Sequence, residues 1–189
     1  MSFQSLKYRC CDMIFHEVKL KGAYIIEPER LEDERGFFAR TFCQKEFENI
    51  GIDFNIVQSN ISYNKEKGTL RGMHYQTAPH EEAKIVTCVR RSIYDVIIDM
   101  RLDSSTYCKW FALELSAKNY ISLYIPKGFA HGFQTLENNV VVSYQMSEFY
   151  CPESARGVRW DDPTFKIKWP VSSPIISAKD SSYKMVANM

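Results

Sequence analysis

The 189-residue sequence lacks the features that mark a membrane, exported or nucleic-acid-binding protein. No apolar run approaches the roughly 18 residues of a transmembrane helix. The start of the chain has no signal-peptide core, because Lys7, Arg9 and Asp12 interrupt it. There is no Lys/Arg block, and 24 basic against 23 acidic residues give a formal net charge of +1. We therefore expect a cytoplasmic protein for which neither nucleic acid nor an anionic membrane is a main partner.

The six cysteines also lack a pattern, since none of their spacings forms a CxxC or zinc-finger motif. In a protein without an export signal, such residues are expected to be reduced thiols. Cys88 and Cys108 lie in apolar stretches and are expected to pack in the core. Without a recognised motif, a redox role for the adjacent Cys10 and Cys11 is not favoured.

Helical patterns are few, and most of the chain is predicted to form short strands. Runs such as 85–89, 93–99 and 121–125 are rich in β-branched and aromatic residues. Polar or Gly/Pro-bearing breaks separate them, as is typical of a sandwich or barrel. A jelly roll is one such architecture.

Two short helices complete the prediction. One covers residues 45–50 and is closed by Gly51, and the other lies in the tail from Lys179 onward. The length suits one domain with a buried core. We therefore predict a single all-β domain with minor helices over residues 13–189, preceded by an N-terminal extension over residues 1–12.

Histidine is scarce, with four residues in the chain, and two of them lie in glycine-flanked apolar strings. His74 belongs to RGMHYQ and His131 to PKGFAHGF. Because the unperturbed pKa of histidine lies near neutrality, its side chain suits both proton transfer and metal binding. A buried structural histidine is a third interpretation. Arg71 and Lys84 argue against it, since cations near a barrel interior lose hydration unless they meet an anion.

The string around His131 resembles the second motif of the cupin superfamily, a set of jelly-roll barrels. In metal-binding cupins, the first motif carries His-x-His followed by a glutamate. Here the matching place, from His74 onward, reads HYQ, and glutamine is a poor ligand for divalent transition metals. We therefore expect no metal. Glu81 and Glu82 follow, which leaves a degenerate metal-dependent cupin as an alternative.

Further strings extend this resemblance in one consistent order. They are 33–38, 58–60, 70–76, 95–101, 125–133, Tyr144 with Tyr150, 160–163 and 177–180. On these strings the chain is identified as a member of the dTDP-4-dehydrorhamnose 3,5-epimerase family, the metal-free sugar-nucleotide epimerases of the cupins. The resemblance implies a cupin-type double-stranded β-helix jelly roll, no cofactor, and a nucleoside-diphosphate 4-keto-6-deoxy sugar as substrate.

The family's reaction depends on the acidity of the hydrogens at C3 and C5, which flank the C4 ketone of the sugar. Epimerisation needs a base, an acid across the ring and a cation near the enolate oxygen. The resemblance implies His74 as the base, Asp180 as its carboxylate partner, Tyr144 as the acid and Lys84 as the cation. From the residues alone, a helix cap is the favoured interpretation of Asp180 and an aromatic strand residue that of Tyr144, while an exposed charge at a strand start is the alternative for Lys84.

The resemblance also implies a set of substrate-binding residues. Arg71 resembles a phosphate-binding arginine, because a guanidinium suits bidentate contact with a diphosphate. The other matches are Arg35, Gln58, Asn60, His131, Tyr150 and Lys179. His131 either positions substrate or is a packed residue. The family also implies a homodimer with N-terminal strands paired or exchanged across the interface, in which Arg35 would reach the partner's pocket.

Three positions depart from the family's pattern. Arg40 follows Ala39 where relatives carry a glutamate near the nucleobase, which leaves the nucleotide open. Arg91 stands in a turn where relatives commonly have glycine, and Ala155 where a glutamate is frequent. An intact catalytic set with an altered recognition set predicts an epimerase of a neighbouring nucleotide sugar, inverting C3, C5 or both. The alternatives are a sugar-nucleotide-binding cupin without catalysis and a 3,4-ketoisomerase of the same fold.

Overall fold

A computed structural model describes residues 12–188 as two β-sheets packed face to face, with a two-stranded hairpin beside them. The strands are β1 (Met13–Glu17), β2 (Tyr24–Pro28), β3 (Arg30–Asp33), β4 (Gly36–Ala39), β5 (Gln58–Asn64), β6 (Thr69–Gln76), β7 (Lys84–Arg90), β8 (Ser92–Asp99), β9 (Trp110–Ser116), β10 (Ser122–Ile125), β11 (Phe129–Thr135), β12 (Val140–Met146), β13 (Ala155–Gly157) and β14 (Ile175–Ile176). The predicted all-β jelly roll is confirmed. The N-terminal extension, with Cys10 and Cys11, lies outside the described residues apart from Asp12.

The chain alternates between the two sheets. The first sheet has the order β1-β2-β10-β7-β12-β5, and the second has the order β13-β6-β11-β8-β9, with β14 parallel to β6. Between β6 and β12 the chain enters the other sheet with each of the strands β7, β8, β10, β11 and β12. These strands pair with their neighbours in antiparallel fashion. β3 and β4 form the separate hairpin.

The main core fills the space between the sheets. Val86 and Leu123 reach it from the first sheet, and Ile97 and Phe133 from the second. A second cluster packs around Phe47. A third cluster includes the residues of β8 that point away from the main core. Both faces of β8 are therefore buried, which explains its nearly continuous apolar sequence. Cys88 lies in the main core, and Cys108 packs half-buried against the third cluster.

The predicted helices are present and short. α1 (Gln44–Asn49) begins one residue earlier than predicted and buries Phe47. In the tail, α2 (Ala178–Ser181) is followed by a 3₁₀ turn over Val186–Asn188. α1 therefore serves the core, whereas α2 supplies a residue to the cavity described below.

Arg91 occupies the β7–β8 turn, where the family resemblance led us to expect a glycine. Its φ is +69°, in the left-handed region that favours glycine, so the arginine is held in a backbone conformation that is strained for any residue with a side chain. The guanidinium lies 3.5 Å from a carboxylate oxygen of Glu137, and both side chains are about half exposed. An exposed pair of this kind contributes little to stability.

We expect Arg91→Gly to raise the free energy of unfolding by about 0.5–1 kcal/mol. Relief of the left-handed strain outweighs both the lost pair with Glu137 and the greater entropy of glycine in the unfolded chain. Urea denaturation of the two proteins measures the change.

The matched control is Arg90→Gly, one residue earlier, at the end of β7. Its backbone is not left-handed, so glycine there should lower stability by about 0.5–1 kcal/mol. Equal losses in the two variants would contradict the strain at Arg91.

Candidate active site

A cavity of about 520 Å³ lies between the two sheets. Apart from Asp180 and Arg35, all the residues that the sequence predicted for the site line it. The first sheet contributes Gln58, Asn60, Lys84 and Tyr144, and the second contributes Arg71, His74 and His131. Tyr150 lies on the segment that follows β12, and Lys179 lies on α2. The predicted base His74 and the predicted acid Tyr144 therefore lie on opposite walls of the cavity.

The two histidine strings lie side by side in the second sheet, with His74 on β6 in register with His131 on β11. Their glycines allow the two backbones to approach closely. A Cβ added to Gly72 would lie 2.5 Å from Cα of Gly132 and 2.9 Å from the carbonyl oxygen of His131. Gly72 also has a φ of +132°, which disfavours any side chain there. The glycines thus set the spacing of the strands that carry both histidines.

His74 contacts the carboxylate that the resemblance assigned to it. Its Nε2 lies 2.8 Å from Oδ1 of Asp180, and the backbone N–H of Gly72 donates to Oδ2 at 3.2 Å. Asp180 is buried on α2, whereas 42% of the His74 side chain remains exposed towards the cavity. The cap of α2 is Ser177, whose hydroxyl accepts the N–H of Asp180. The carboxylate of Asp180 is therefore free to bind His74 and does not cap the helix.

The pKa of Asp180 lies below its ordinary value. Burial raises this pKa, but hydrogen bonding and charge attraction from His74, together with bonds to Gly72 and Ser177, outweigh the effect of burial. Asp180 is consequently a carboxylate at neutral pH. An ionised partner of this kind orients an imidazole and stabilises its protonated form.

Lys84 is buried rather than an exposed charge at a strand start. Its Nζ lies 2.8 Å from Oε1 of Glu82, and the two side chains are only 10% and 3% exposed. The other oxygen of Glu82 accepts the backbone N–H of Gln76 at 3.1 Å. The sequence analysis considered Glu82 only as a ligand in a degenerate metal site and missed this ion pair.

His131 has a carboxylate of its own, which sequence reasoning also missed. Its Nε2 lies 2.8 Å from Oδ1 of Asp95, a fully buried residue of the neighbouring strand β8. The available signal was an acidic residue inside an otherwise apolar strand of the second sheet. His131 is thus a hydrogen-bonded residue of the cavity wall.

Three exposed cations line the cavity and contact neutral groups. Arg71 donates from Nε to the side-chain oxygen of Asn64 at 2.8 Å. Arg156, which sequence reasoning missed, donates to the carbonyl oxygens of Glu153 and Ala155. Lys179 lies near Tyr183, another missed residue of the cavity, and its charge acts on that phenol. Lys84 and His131, in contrast, contact buried carboxylates.

Tyr183 packs beside the His74 ring. The two ring centres are 5.8 Å apart in an edge-to-face arrangement. A Cβ added to Gly157 would lie 2.4 Å from the Tyr183 ring, so this glycine provides the space for the tyrosine. Burial raises the pKa of Tyr183, and its hydroxyl therefore stays protonated at neutral pH.

Gln76, in the place of the second cupin imidazole, has its whole amide bound to backbone. Its oxygen accepts the N–H of Cys151, and its nitrogen donates to the carbonyls of His80 and Phe149. Within residues 12–188, no three His, Cys, Asp or Glu side chains are grouped so as to hold a metal ion.

Arg35 and Arg40 lie away from the cavity of their own chain. Arg35 is at the tip of the β3–β4 hairpin, where it pairs with Asp33, and 84% of its side chain is exposed. Arg40 binds Glu46 of α1 at 2.9 Å. The structure thus does not bring Arg35 together with the other predicted residues.

Comparison with known proteins identifies similar chains. The model of the dTDP-4-dehydrorhamnose 3,5-epimerase family matches residues 17–188. A dTDP-4-dehydrorhamnose 3,5-epimerase of Sinorhizobium fredii is 40% identical over 172 residues, which cover 90% of this chain and 88% of the relative.

Solved structures agree with this result. The dTDP-4-dehydrorhamnose 3,5-epimerase of Bacillus anthracis, with TDP and PPi bound, has a TM-score of 0.90 at 40% identity, and the match covers 93% of this chain and 100% of that one. The dTDP-6-deoxy-D-glucose-3,5-epimerase of Legionella pneumophila, in complex with dTDP-4-keto-L-rhamnose, has a TM-score of 0.86 at 37% identity, covering 92% and 93%. Across residues 12–188, no helix is long and apolar enough to span a membrane.

Proposed function

Because the chain belongs to the dTDP-4-dehydrorhamnose 3,5-epimerase family and is a sugar-nucleotide epimerase, we propose that His74 and Tyr144 exchange protons with opposite faces of a 4-keto sugar. The observation that carries this proposal is their placement. His74, bound to Asp180, lies on one sheet, and Tyr144 lies on the other, with the cavity between them. A sugar ring in this cavity has one face towards each residue.

His74 acts as the base. Its Nε2 is bound to Asp180, so the ring nitrogen that remains, Nδ1, takes the proton from C3 or C5. The ionised Asp180 stabilises the imidazolium that forms. Because 42% of the His74 side chain is exposed, the captured proton can exchange with water.

Lys84 stabilises the enolate oxygen at C4. Its ammonium is fixed by Glu82 and lies in a water-poor part of the cavity, where a directed hydrogen bond to developing negative charge is strongest. Tyr144 then donates its phenolic proton to the opposite face of the carbon, which inverts the centre. A phenol carries one proton that it can give to a carbanion-like centre.

The substrate that we propose is a dTDP-linked 4-keto-6-deoxyhexose. The relatives named above support the nucleotide, since they bind TDP or a dTDP-sugar. Arg71, Arg156 and Lys179 supply the cations for the diphosphate, and the remaining predicted residues contact the sugar and base. Arg40, which the sequence placed near the nucleobase, is bound to Glu46 outside the cavity and does not argue against thymidine.

The test is deuterium incorporation. The protein is incubated in deuterated water with a dTDP-4-keto-6-deoxyhexose or its GDP counterpart, and NMR follows C3 and C5. We expect deuterium at both positions with the dTDP-sugar, together with inverted products. Binding without exchange would support a non-catalytic cupin, and movement of the keto group to C3 would support a ketoisomerase.

Tyr144→Phe separates proton removal from inversion. The variant keeps the His74 base, so deuterium should still enter C3 or C5 on the original face, at a rate within about tenfold of the native enzyme. Inversion should fall by about a hundredfold or more, because the opposite face has lost its acid. NMR reports both quantities in one sample.

Tyr120→Phe is the matched control, since Tyr120 is an exposed tyrosine outside the strands of the sheets and does not line the cavity. It should leave inversion unchanged. Loss of exchange and inversion to the same extent in Tyr144→Phe would contradict the division of roles between the two residues.

We further propose a cytoplasmic homodimer. The first sheet exposes Ile61, Tyr63 and Val89, an apolar area that a second copy would cover. A dimer would also give the exposed Arg35 a cavity to enter, that of the partner. A monomer mass in sedimentation equilibrium would contradict the dimer.

The cytoplasmic location is supported by the cysteines. The free Cys43, Cys88, Cys108 and Cys151 are in keeping with a reducing compartment.

A further inference from the structure

Tyr150 lies on an irregular segment, residues 147–154, that links β12 to β13 along the cavity. The segment is joined to the sandwich at both ends. Ser147 donates its N–H to the carbonyl of Ala83 at 3.0 Å, and Ser154 accepts the N–H of Thr77 at 3.0 Å. Between these ends, Tyr150 is 54% exposed. Its position therefore depends on what holds the middle of the segment.

Two glutamine side chains bind the backbone of three consecutive residues there. Gln76 accepts the N–H of Cys151 at 2.6 Å and donates to the carbonyl of Phe149 at 3.2 Å. Gln58 accepts the N–H of Tyr150 itself at 2.7 Å. Gln76 also donates to the carbonyl of His80, so it connects two loops at once. The backbone on both sides of Tyr150 is thus bound to one side chain.

Gln76 is itself held in place. It is 4% exposed, and its backbone N–H donates to Glu82, the partner of Lys84. A buried amide with every hydrogen bond satisfied has one well-defined orientation. The same buried network therefore reaches from Lys84 to the segment that carries Tyr150.

We propose that Gln76 is a positioning residue that holds Tyr150 against the bound substrate. This inference rests on the proposed function, in which Tyr150 contacts the nucleotide sugar. A segment already ordered in the free enzyme loses less conformational entropy on binding, so the gain is in affinity rather than in the chemical step. The amide in the place of a cupin metal ligand thus serves substrate binding.

Gln76→Glu tests the proposal with almost no change of shape. The carboxylate still accepts the N–H of Cys151 but donates to neither carbonyl, and it repels both. We expect KM to rise roughly tenfold while kcat stays within about threefold. Tyr150→Ala should give a similar rise. In the double variant that carries both substitutions, KM should not exceed that of Tyr150→Ala alone, since Gln76 acts on substrate binding through Tyr150.

Gln134→Glu is the matched control. Gln134 is a fully buried amide on β11 that binds both backbone groups of Val171, at 2.9 Å each, and it does not line the cavity. This variant also loses a donor from a buried glutamine, so its stability should fall as that of Gln76→Glu does. Its KM should remain that of the native enzyme.

Several results would overturn the proposal. One is a KM for Gln76→Glu no higher than that for Gln134→Glu. Another is a native KM in Tyr150→Ala. A third is a KM about a hundredfold above native in the double variant, which would mean that the two substitutions act independently. If Gln76→Glu does not fold, the neutral Gln76→Asn replaces it, because its amide is one methylene shorter and cannot keep all three backbone bonds of Gln76. Its KM should rise a few fold, and not further in the Tyr150→Ala background, and an unchanged KM overturns the proposal. An inactive native enzyme would refute the proposed function instead.

Discussion

Replacing His74 with alanine should lower deuterium incorporation at C3 and C5 by about a thousandfold. The variant lacks the imidazole that is bound to Asp180 and faces Tyr144 across the cavity. Asp180 cannot take over, because it lies behind His74 and is itself buried. NMR of the sugar in deuterated water measures the rate, and thermal unfolding establishes that the variant is folded.

The control is His16→Ala, which removes an exposed histidine on β1 that contacts Glu27 far from the cavity lining. Exchange by this variant should equal that of the native enzyme. Exchange by His74→Ala within tenfold of the native rate would contradict the assignment. In that case His131, the other histidine of the cavity, becomes the candidate base.

Gly72→Ala should lower the free energy of unfolding by more than about 3 kcal/mol. The new methyl group would lie 2.5 Å from Cα of Gly132 and 2.9 Å from the carbonyl oxygen of His131. Both contacts are with backbone, so no side chain can turn aside to make room. The φ of +132° adds strain to the overlap. Urea denaturation monitored by circular dichroism gives the difference.

Gly51→Ala separates strain from overlap. Gly51 also has a positive φ, of +81°, but a methyl group there meets no atom within 4 Å. We expect a loss of about 1 kcal/mol from strain alone. If the two alanine variants lost equal stability, the close approach of β6 and β11 would not be the reason for Gly72.

The strands of the core could be predicted from sequence, whereas β5, which lines the cavity, could not. The run 93–99 matches β8 because both its faces are buried. On β5 the cavity-facing Gln58 and Asn60 are polar, while the outward Ile61 and Tyr63 are exposed. This reverses the usual alternation of apolar core and polar surface. A strand that lines a binding cavity therefore escapes a search for apolar periodicity.

Local sequence also does not show which side chains pair with one another across the fold. His74 and Asp180 are 106 residues apart, and only the family resemblance connected them. His131 and Asp95 depend on the register between β8 and β11, which local sequence does not fix. The resemblance thus supplied Asp180 as the partner of His74, but Asp95 and Glu82, the buried carboxylates that bind His131 and Lys84, could not be predicted.

The distribution of those counter-charges gives the cavity an electrostatic polarity. The largely buried Lys84 faces a buried carboxylate and contributes little net charge, whereas the exposed Arg71 and Lys179 are positive groups near neutral side chains. A nucleotide sugar has the opposite asymmetry, since its negative charge is on the diphosphate and its sugar is neutral. We expect the field to turn an arriving molecule sugar-first before any hydrogen bond forms. The reversed orientation, with the nucleobase towards His74, is then disfavoured at the moment of encounter.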